Sequence, residues 1–432
     1  MLSLAPTRRA PESRVTDQPV PSAETKAART LLNAAAVRER SHQILEHGLA
    51  GRLRHFTVHP ERLDACAEAV VATIRTAYPS LDIPFHARWR HFSAGGHDRW
   101  DAVMHGAPWS DAGQMARAAF DLAIVSVLLD AGAGAQWRYE EGRTGETFAR
   151  SEGLAVASFD MFVSGAFSSR AEDPFRVDAD VLLALTADDL AHGFQVSPGN
   201  PLVGLEGRAA LLNRLGRAVA TNPDIFGRHD DPRPGGLFDV LAAGADAEGR
   251  IRAPAILEAI LNHLGSIWPG RIELGGVDLG DTWRHPLVEA PDATNGLIPF
   301  HKLSQWLSYS LIEPLEWAGY TVVEIDGLTG LPEYRNGGLF LDSGVLALKD
   351  PAEAAQPHPV DSTLVVEWRA LTVALLDRIA EPIRRALGLK PEDFPLAKAL
   401  EGGTWATGRR LAKERRGDGS PPLTIISDGT VF

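Results

Sequence analysis

The sequence predicts a mainly α protein, a multi-helix domain with a minor β component. Two observations carry this. Apolar residues recur at helical spacing through most of the chain, and the stretches between them are short, Gly- and Pro-rich connections. The regular alternation of strand and helix that builds a doubly wound parallel sheet is missing.

The elements follow in order. Residues 1 to 27 are rich in Pro, Arg, Glu and Thr with little periodic apolar content, and read as a flexible tail. Residues 28 to 432 read as one large helical domain, with two lobes meeting near 230–300 as an option. Ala28–Leu49, Pro60–Tyr78 and Trp109–Leu129 each carry a helical stripe, and Pro60 and Ser110 suit helix starts. Gln136–Phe148 changes to alternation around a Gly-containing turn, which predicts a small hairpin. Helices are expected again over Ser151–Val163, Glu206–Thr221, Ala253–Leu264, Phe300–Ala318, Ser362–Leu387 and Ala397–Glu414. The connections Asp230–Gly236 and Trp268–Asp292 are Gly/Pro-rich. Thr321–Ile325 and Leu339–Leu346 read as short strands flanking a turn, and the terminal PLTIISDGTVF as a strand, an Asp-Gly turn and a tail.

Of 432 residues, 44% are hydrophobic and 23% charged, which supports a packed core. A formal net charge of −13 argues against binding nucleic acid or an anionic membrane through a general field. A local basic pocket for one phosphate remains compatible with it. The opening MLSLAPTRRAPESRV has no continuous apolar stretch, and the apolar run near Phe120–Leu129 is too short to span a bilayer. A cytoplasmic protein is expected. The single cysteine, Cys66, excludes an internal disulfide and a cysteine zinc site, and its helical context reads as a buried small hydrophobe.

Three stretches carry candidate chemistry. FHARWRHFSAGGHDRW, Phe85–Trp100, packs Arg88, Arg90 and Arg99 with His86, His91, His97 and two tryptophans. Guanidinium forks grip phosphate in bidentate fashion, and Gly95-Gly96 lets backbone amides approach an anion. The bland alternative pairs these arginines with carboxylates and puts the tryptophans in the core. No metal is expected here, because no further ligand sits at helical spacing. EIDGLTGLPEYRNGGLFLD, Glu324–Asp342, surrounds Tyr334, Arg335 and Asn336 with Glu324, Asp326, Glu333 and Asp342 in a Gly-punctuated loop. A carboxylate there can activate water or stabilise an oxocarbenium ion. The alternative is a structural turn with a buried Glu–Arg pair. GGTWATGRR, Gly402–Arg410, places glycines before a helix carrying Trp405 and Arg409, where backbone amides can meet an anion or merely restart a helix. No GxSxG elbow, Walker loop or strand-linked GxGxxG is present. TVVEIDGLTG, Thr321–Gly330, echoes a phosphoribosyltransferase loop, but Gly327 stands where the second acid belongs.

Together RERSHQIL, LDIPFHARWRHF, SEGLAVASFDMF, LTGLPEYRNGG, GGTWATGRR and the terminal SDGTVF resemble the uncharacterised family encoded with fungal and bacterial uracil-catabolism genes. The resemblance covers Leu31 to Phe432. It implies a route that opens the uracil ring at the nucleotide level and passes through ribosylurea-type intermediates toward urea. Trp137–Gly165, and the order of residues over Leu190–Gly216, are similar to the queuosine-salvage family. That family implies an N-glycoside hydrolase acting on a nucleoside 5-phosphate, with a helical fold related to DNA glycosylases. Its functional Asp is replaced here by Ser308.

The resulting expectation is cleavage of an N-ribosyl bond in a phosphorylated ribosylurea-like compound, without metal or organic cofactor. Glu333 is the expected catalytic carboxylate, with Asp342 or Asp326 assisting. Arg335 with Arg88 or Arg90 is expected to grip the phosphate, and Tyr334, Asn336, His91, Trp137 and Arg409 to contact the substrate. The expected partner is a nucleotide-derived small molecule, with an oligomer allowed. The alternatives are uracil phosphoribosyl transfer and a non-catalytic pathway scaffold.

Overall fold

A computed structural model describes residues 21–228, 231–268 and 271–426. The terminal Asp-Gly turn and tail, and most of the first 27 residues, lie outside them. Within the expected tail, Ala23–Arg29 is a helix that begins where the Ser22 hydroxyl accepts the Thr25 N–H. Its Ala27 and Ala28 are buried, so this part of the tail is packed rather than free.

The long helices are α1 (Ala34–Leu49), α2 (Leu63–Ala77), α3 (Ala112–Leu128), α4 (Arg150–Val163), α5 (Leu205–Ala220), α6 (Ala253–Leu264), α7 (Lys302–Trp317), α8 (Tyr334–Asp342), α9 (Thr363–Leu387) and α10 (Trp405–Arg415). Their starts follow capping chemistry. Asn33, Asp111 and Ser362 each accept a backbone N–H three residues ahead, opening α1, α3 and α9. Gly388, at φ 72°, closes α9 in the left-handed region where only glycine sits without strain. α9 is buried along almost its whole first half, from Leu364 to Leu376, and packs on α1, α2 and α8. α3 packs on α4 and α7. One continuous apolar core runs from Ala28 to Leu423 and takes in Leu237, Ile256, Trp283 and Ile298.

Among the described residues the β component is six two-stranded ladders. The expected hairpin forms as Tyr139–Glu140 against Thr147–Phe148. Thr321–Val323 pairs parallel with Arg250–Arg252, away from any larger parallel sheet. Thr424–Ile426 pairs parallel with Pro357–Pro359.

The stretch expected to be a strand over Leu339–Leu346 is helical as far as Asp342, and only Leu346–Leu348 is extended, against Phe56–Val58. The reason is packing. A Cβ on Gly337 would stand 2.7 Å from the Trp368 ring and one on Gly338 3.3 Å from Pro422, so these glycines allow close helix contact rather than a turn. The pair Gly402-Gly403 likewise lies inside a π-helical segment, Leu400–Thr404, that runs straight into α10 and presses on Val70, Ile74 and Ile83. Among the described residues no helix is long and apolar enough to cross a membrane.

Candidate active site

Segments far apart in sequence enclose a cavity of about 920 Å³. The stretches expected to carry chemistry meet there: His86, Arg90 and His91 face it from one side, Glu333 and Tyr334 from another, and Glu401 and Trp405 from a third.

Glu333 is the N-cap of α8. Its carboxylate accepts the backbone N–H of Arg335 at 2.7 Å and of Asn336 at 2.5 Å, which fixes both oxygens at the cavity wall. Burial raises its carboxyl, against the pull of those two donors and of the Lys302 charge. Lys302 and Trp306 stand one turn apart on α7 and both face the cavity. Asp281 sets the start of this helix. It accepts the Lys302 N–H at 3.0 Å and both Arg369 terminal nitrogens at 2.7 Å. Burial opposes the Asp281 charge, yet Arg369 holds the carboxyl at about 2. Burial in turn lowers the Lys302 amine, which the facing Glu333 only partly restores.

The His91 ring meets the Trp306 ring edge-on, 5.7 Å between centroids. Burial, with Arg88 adding positive charge, pushes its imidazole down to about 3, so His91 is neutral at physiological pH. Its Nδ1 and the Trp306 Nε1 are buried with no hydrogen-bond partner among the described residues. Both atoms are sealed behind the cavity wall, and it is the rings of the two residues that line it. His86 pairs with Glu401 at 2.7 Å, and although burial opposes it, this pairing lowers the Glu401 carboxyl. Glu401 reaches the cavity from the π-helical segment, a feature frequent at functional sites.

The floor is the small-residue loop Ala131–Ala135, beginning beside Asp130. Arg208 shapes it by donating to the carbonyls of Leu129, Ala131 and Gly132, and burial brings its guanidinium down to about 10. Next to the cavity lies a recess of about 460 Å³, which shares Phe148, Arg150 and Glu152 with it and adds Arg335, Arg409 and Lys413. Arg150 has φ 55°, an uncommon backbone for a residue with a Cβ.

Arg90, His91, Glu333 and Tyr334 thus line the cavity, and Arg335 and Arg409 the recess. The other expected residues lie outside both, for identifiable reasons. Arg88 is fully buried behind the wall, donating to Asp130 at 2.9 Å and Ser126 at 2.8 Å. Asn336 binds the Leu331 carbonyl and the Thr404 hydroxyl. Trp137 is a core residue that donates its Nε1–H to the Phe194 carbonyl at 2.9 Å. Asp342 is clasped by both Arg416 terminal nitrogens at 2.8 and 2.6 Å. Asp326 accepts from Arg384 and from the Leu396 N–H. Ser308 is buried and turns its hydroxyl back to the Ser304 carbonyl. Sequence reasoning missed Asp130, Glu152, Lys302 and Trp306. The only signal for the last two was their spacing, four apart at the start of a helix.

The chain is 38% identical over 435 residues to Uracil catabolism protein 4 of Lachancea kluyveri, with 92% of this chain and 97% of that one aligned. It is 37% identical over 419 residues to Protein urg3 of Schizosaccharomyces pombe (strain 972 / ATCC 24843), with 94% and 100% aligned. The family described as "Protein of unknown function (DUF1688)" matches residues 30–432, nearly the whole length, and the chain belongs to that family.

Proposed function

We propose that this protein acts in uracil catabolism as an N-glycoside hydrolase, cleaving the N-ribosyl bond of a phosphorylated ribosylurea-like compound. The observation that carries the reading is Glu333: a carboxylate immobilised by two backbone N–H groups, in the wall of a cavity that also presents aromatic rings. The names of the two relatives support the pathway.

Hydrolysis of such a bond asks for few groups. Water adds to C1 of the ribose as the C1–N bond breaks, through a transition state with oxocarbenium character. Glu333 takes the proton of that water and faces the positive charge developing on the sugar. The departing urea nitrogen needs a proton, and Lys302, whose amine burial makes more acidic, is the donor in this scheme. Asp342 and Asp326, engaged by arginines elsewhere, leave the assisting role to cavity residues. Trp306 and the neutral His91 offer the ureido group ring surface without charge. The rings of Trp306, Trp405 and Tyr334 keep the site apolar around these few polar atoms. No organic cofactor enters the scheme.

The helical architecture and the Trp137–Gly165 stretch support kinship with the queuosine-salvage and DNA-glycosylase type of fold, and a cytoplasmic setting fits the acidic composition. The test is direct. Purified protein given ribosylurea 5-phosphate is expected to release urea and ribose 5-phosphate in equal amounts. Glu333→Gln keeps one cap acceptor and is expected to slow release by roughly 10²- to 10⁴-fold. Absence of both products with the unaltered protein sinks the reading.

A further inference from the structure

We infer that the recess beside the cavity is a subsite for a phosphate monoester, held by Arg150, Arg335, Arg409 and Lys413. Identifying its carrier as the 5-phosphate end of the substrate rests on the function proposed above; the anion site itself does not.

The recess gathers four cations against two carboxylates, Glu152 and Asp418, in a chain whose overall charge is −13. Asp418 is already committed to the Ser420 N–H at 2.9 Å. No carboxylate pairs with Arg150, Arg335, Arg409 or Lys413 among the described residues, whereas Arg90 and Arg99 each have one. Arg335 is the most telling. It is 7% exposed; its guanidinium lies over the Tyr334 ring at 5.0 Å and makes one hydrogen bond, from Nη1 to the Gly419 carbonyl at 2.8 Å. Its remaining donors are not sealed in the core, so a guanidinium without a counter-ion lines the recess and can take an anion there. Arg409 and Lys413 are one turn apart on α10 and reach the same space. The start of α4 adds direction, because no side chain caps it and its first residues, Arg150 and Glu152, border the recess.

The position suits a monoester better than free phosphate. The shared border of Phe148, Arg150 and Glu152 lets one ligand place its phosphate in the recess and its sugar against Glu333 in the cavity. Of the expected phosphate grip this keeps Arg335 and replaces Arg88 and Arg90, which are engaged by Asp130 and Glu313, with Arg150, Arg409 and Lys413.

The experiment is calorimetric titration of the full chain with ribose 5-phosphate, orthophosphate and ribose. Ribose 5-phosphate is expected to bind, orthophosphate more weakly, and ribose least. Arg409→Ala with Lys413→Ala, both exposed positions, is expected to weaken ribose 5-phosphate by at least about tenfold. Arg410→Ala, which removes one exposed positive charge from the same helix, serves as the control beside the single Arg409→Ala and is expected to bind as the unaltered protein does. Equal binding by the double variant and the control, or ribose 5-phosphate binding no tighter than ribose, overturns the subsite. Hydrolysis separates the two ideas. Cleavage that proceeds equally well with and without the phosphate on the substrate overturns the subsite and leaves the hydrolase reading standing. Phosphate binding lost in the double variant, with no hydrolysis of any ribosylurea, upholds the subsite and removes the reading.

Discussion

Arg99 and Glu141 show what the arginine-rich stretch does besides framing a site. Their side chains are almost fully buried and meet through two bonds of 2.8 and 2.6 Å. The Arg99 hydrogen bonds hold the Glu141 carboxyl at about 2, below its ordinary 4.5. A carboxyl lowered on folding stabilises the protein above its unfolded value and loses that contribution as pH falls. The loss should therefore run from about 4.5 down to about 2. Arg99→Met leaves the Glu141 carboxylate to Arg143 and the Thr144 hydroxyl alone and is expected to cost about 2–3 kcal/mol at neutral pH in urea unfolding, with a smaller deficit at pH 3. An equal deficit at both pH values would contradict it. The same residues mark how far the sequence could be read. FHARWRHFSAGGHDRW displays its charges openly, but the carboxylates that meet Arg88, Arg90 and Arg99 lie 42, 223 and 42 residues away. Composition could say that a cluster existed. It could not say that Arg88 and Arg99 were spoken for while His91 was left with a free ring nitrogen.

Helices were legible where the periodic apolar run was long, as behind Asn33, Asp111 and Ser362. The cap at Asp111 nevertheless lies one residue past the expected Ser110, and short capped helices such as Ala187–Gly193 behind Thr186 went unread. LPEYRNGG misled because its glycines look like turn residues when only local rules apply. In the fold they answer distant neighbours: Trp368 for Gly337, and for Gly408, on the facing helix, the backbone of Arg335. A Cβ on Gly408 would come within 2.2 Å of the Arg335 carbonyl oxygen, and backbone cannot swing aside as a side chain can. Gly408→Ala is expected to force α8 and α10 apart, costing about 1–3 kcal/mol or more. Because Arg335 and Arg409 ride on those two helices, ribose 5-phosphate should also bind more weakly. Thermal unfolding and the same titration check both effects, and an unchanged melting temperature would count against the close contact. The π-helical segment escaped prediction for a similar reason: an extra residue in a turn leaves no compositional trace.

At the scale of the whole molecule, the site is distributed. Its walls come from residues 86–95, 130–152, 302–306, 331–334, 401–405 and 421–425. The last of these, Pro421, Leu423 and Ile425, close one side through the strand Thr424–Ile426 paired to Pro357–Pro359. Removing residues 417–432 is expected to open the cavity, abolish turnover and lower the melting temperature by several degrees, as loss of the fully buried Leu423 alone is worth about 2–3 kcal/mol. Calorimetry beside an activity assay reads both, and retained turnover would contradict the closure. No segment-by-segment reading could have assembled this enclosure, because each wall is unremarkable alone and only long-range packing joins them. That dispersal also orders events during synthesis. A nascent chain that has emerged as far as residue 400 already holds Glu333, Lys302 and His91, yet lacks Glu401, Trp405 and the closing strand. If the proposed site is right, a chain still in synthesis presents an incomplete cavity, and a ligand is expected to stabilise only chains that carry all of its walls.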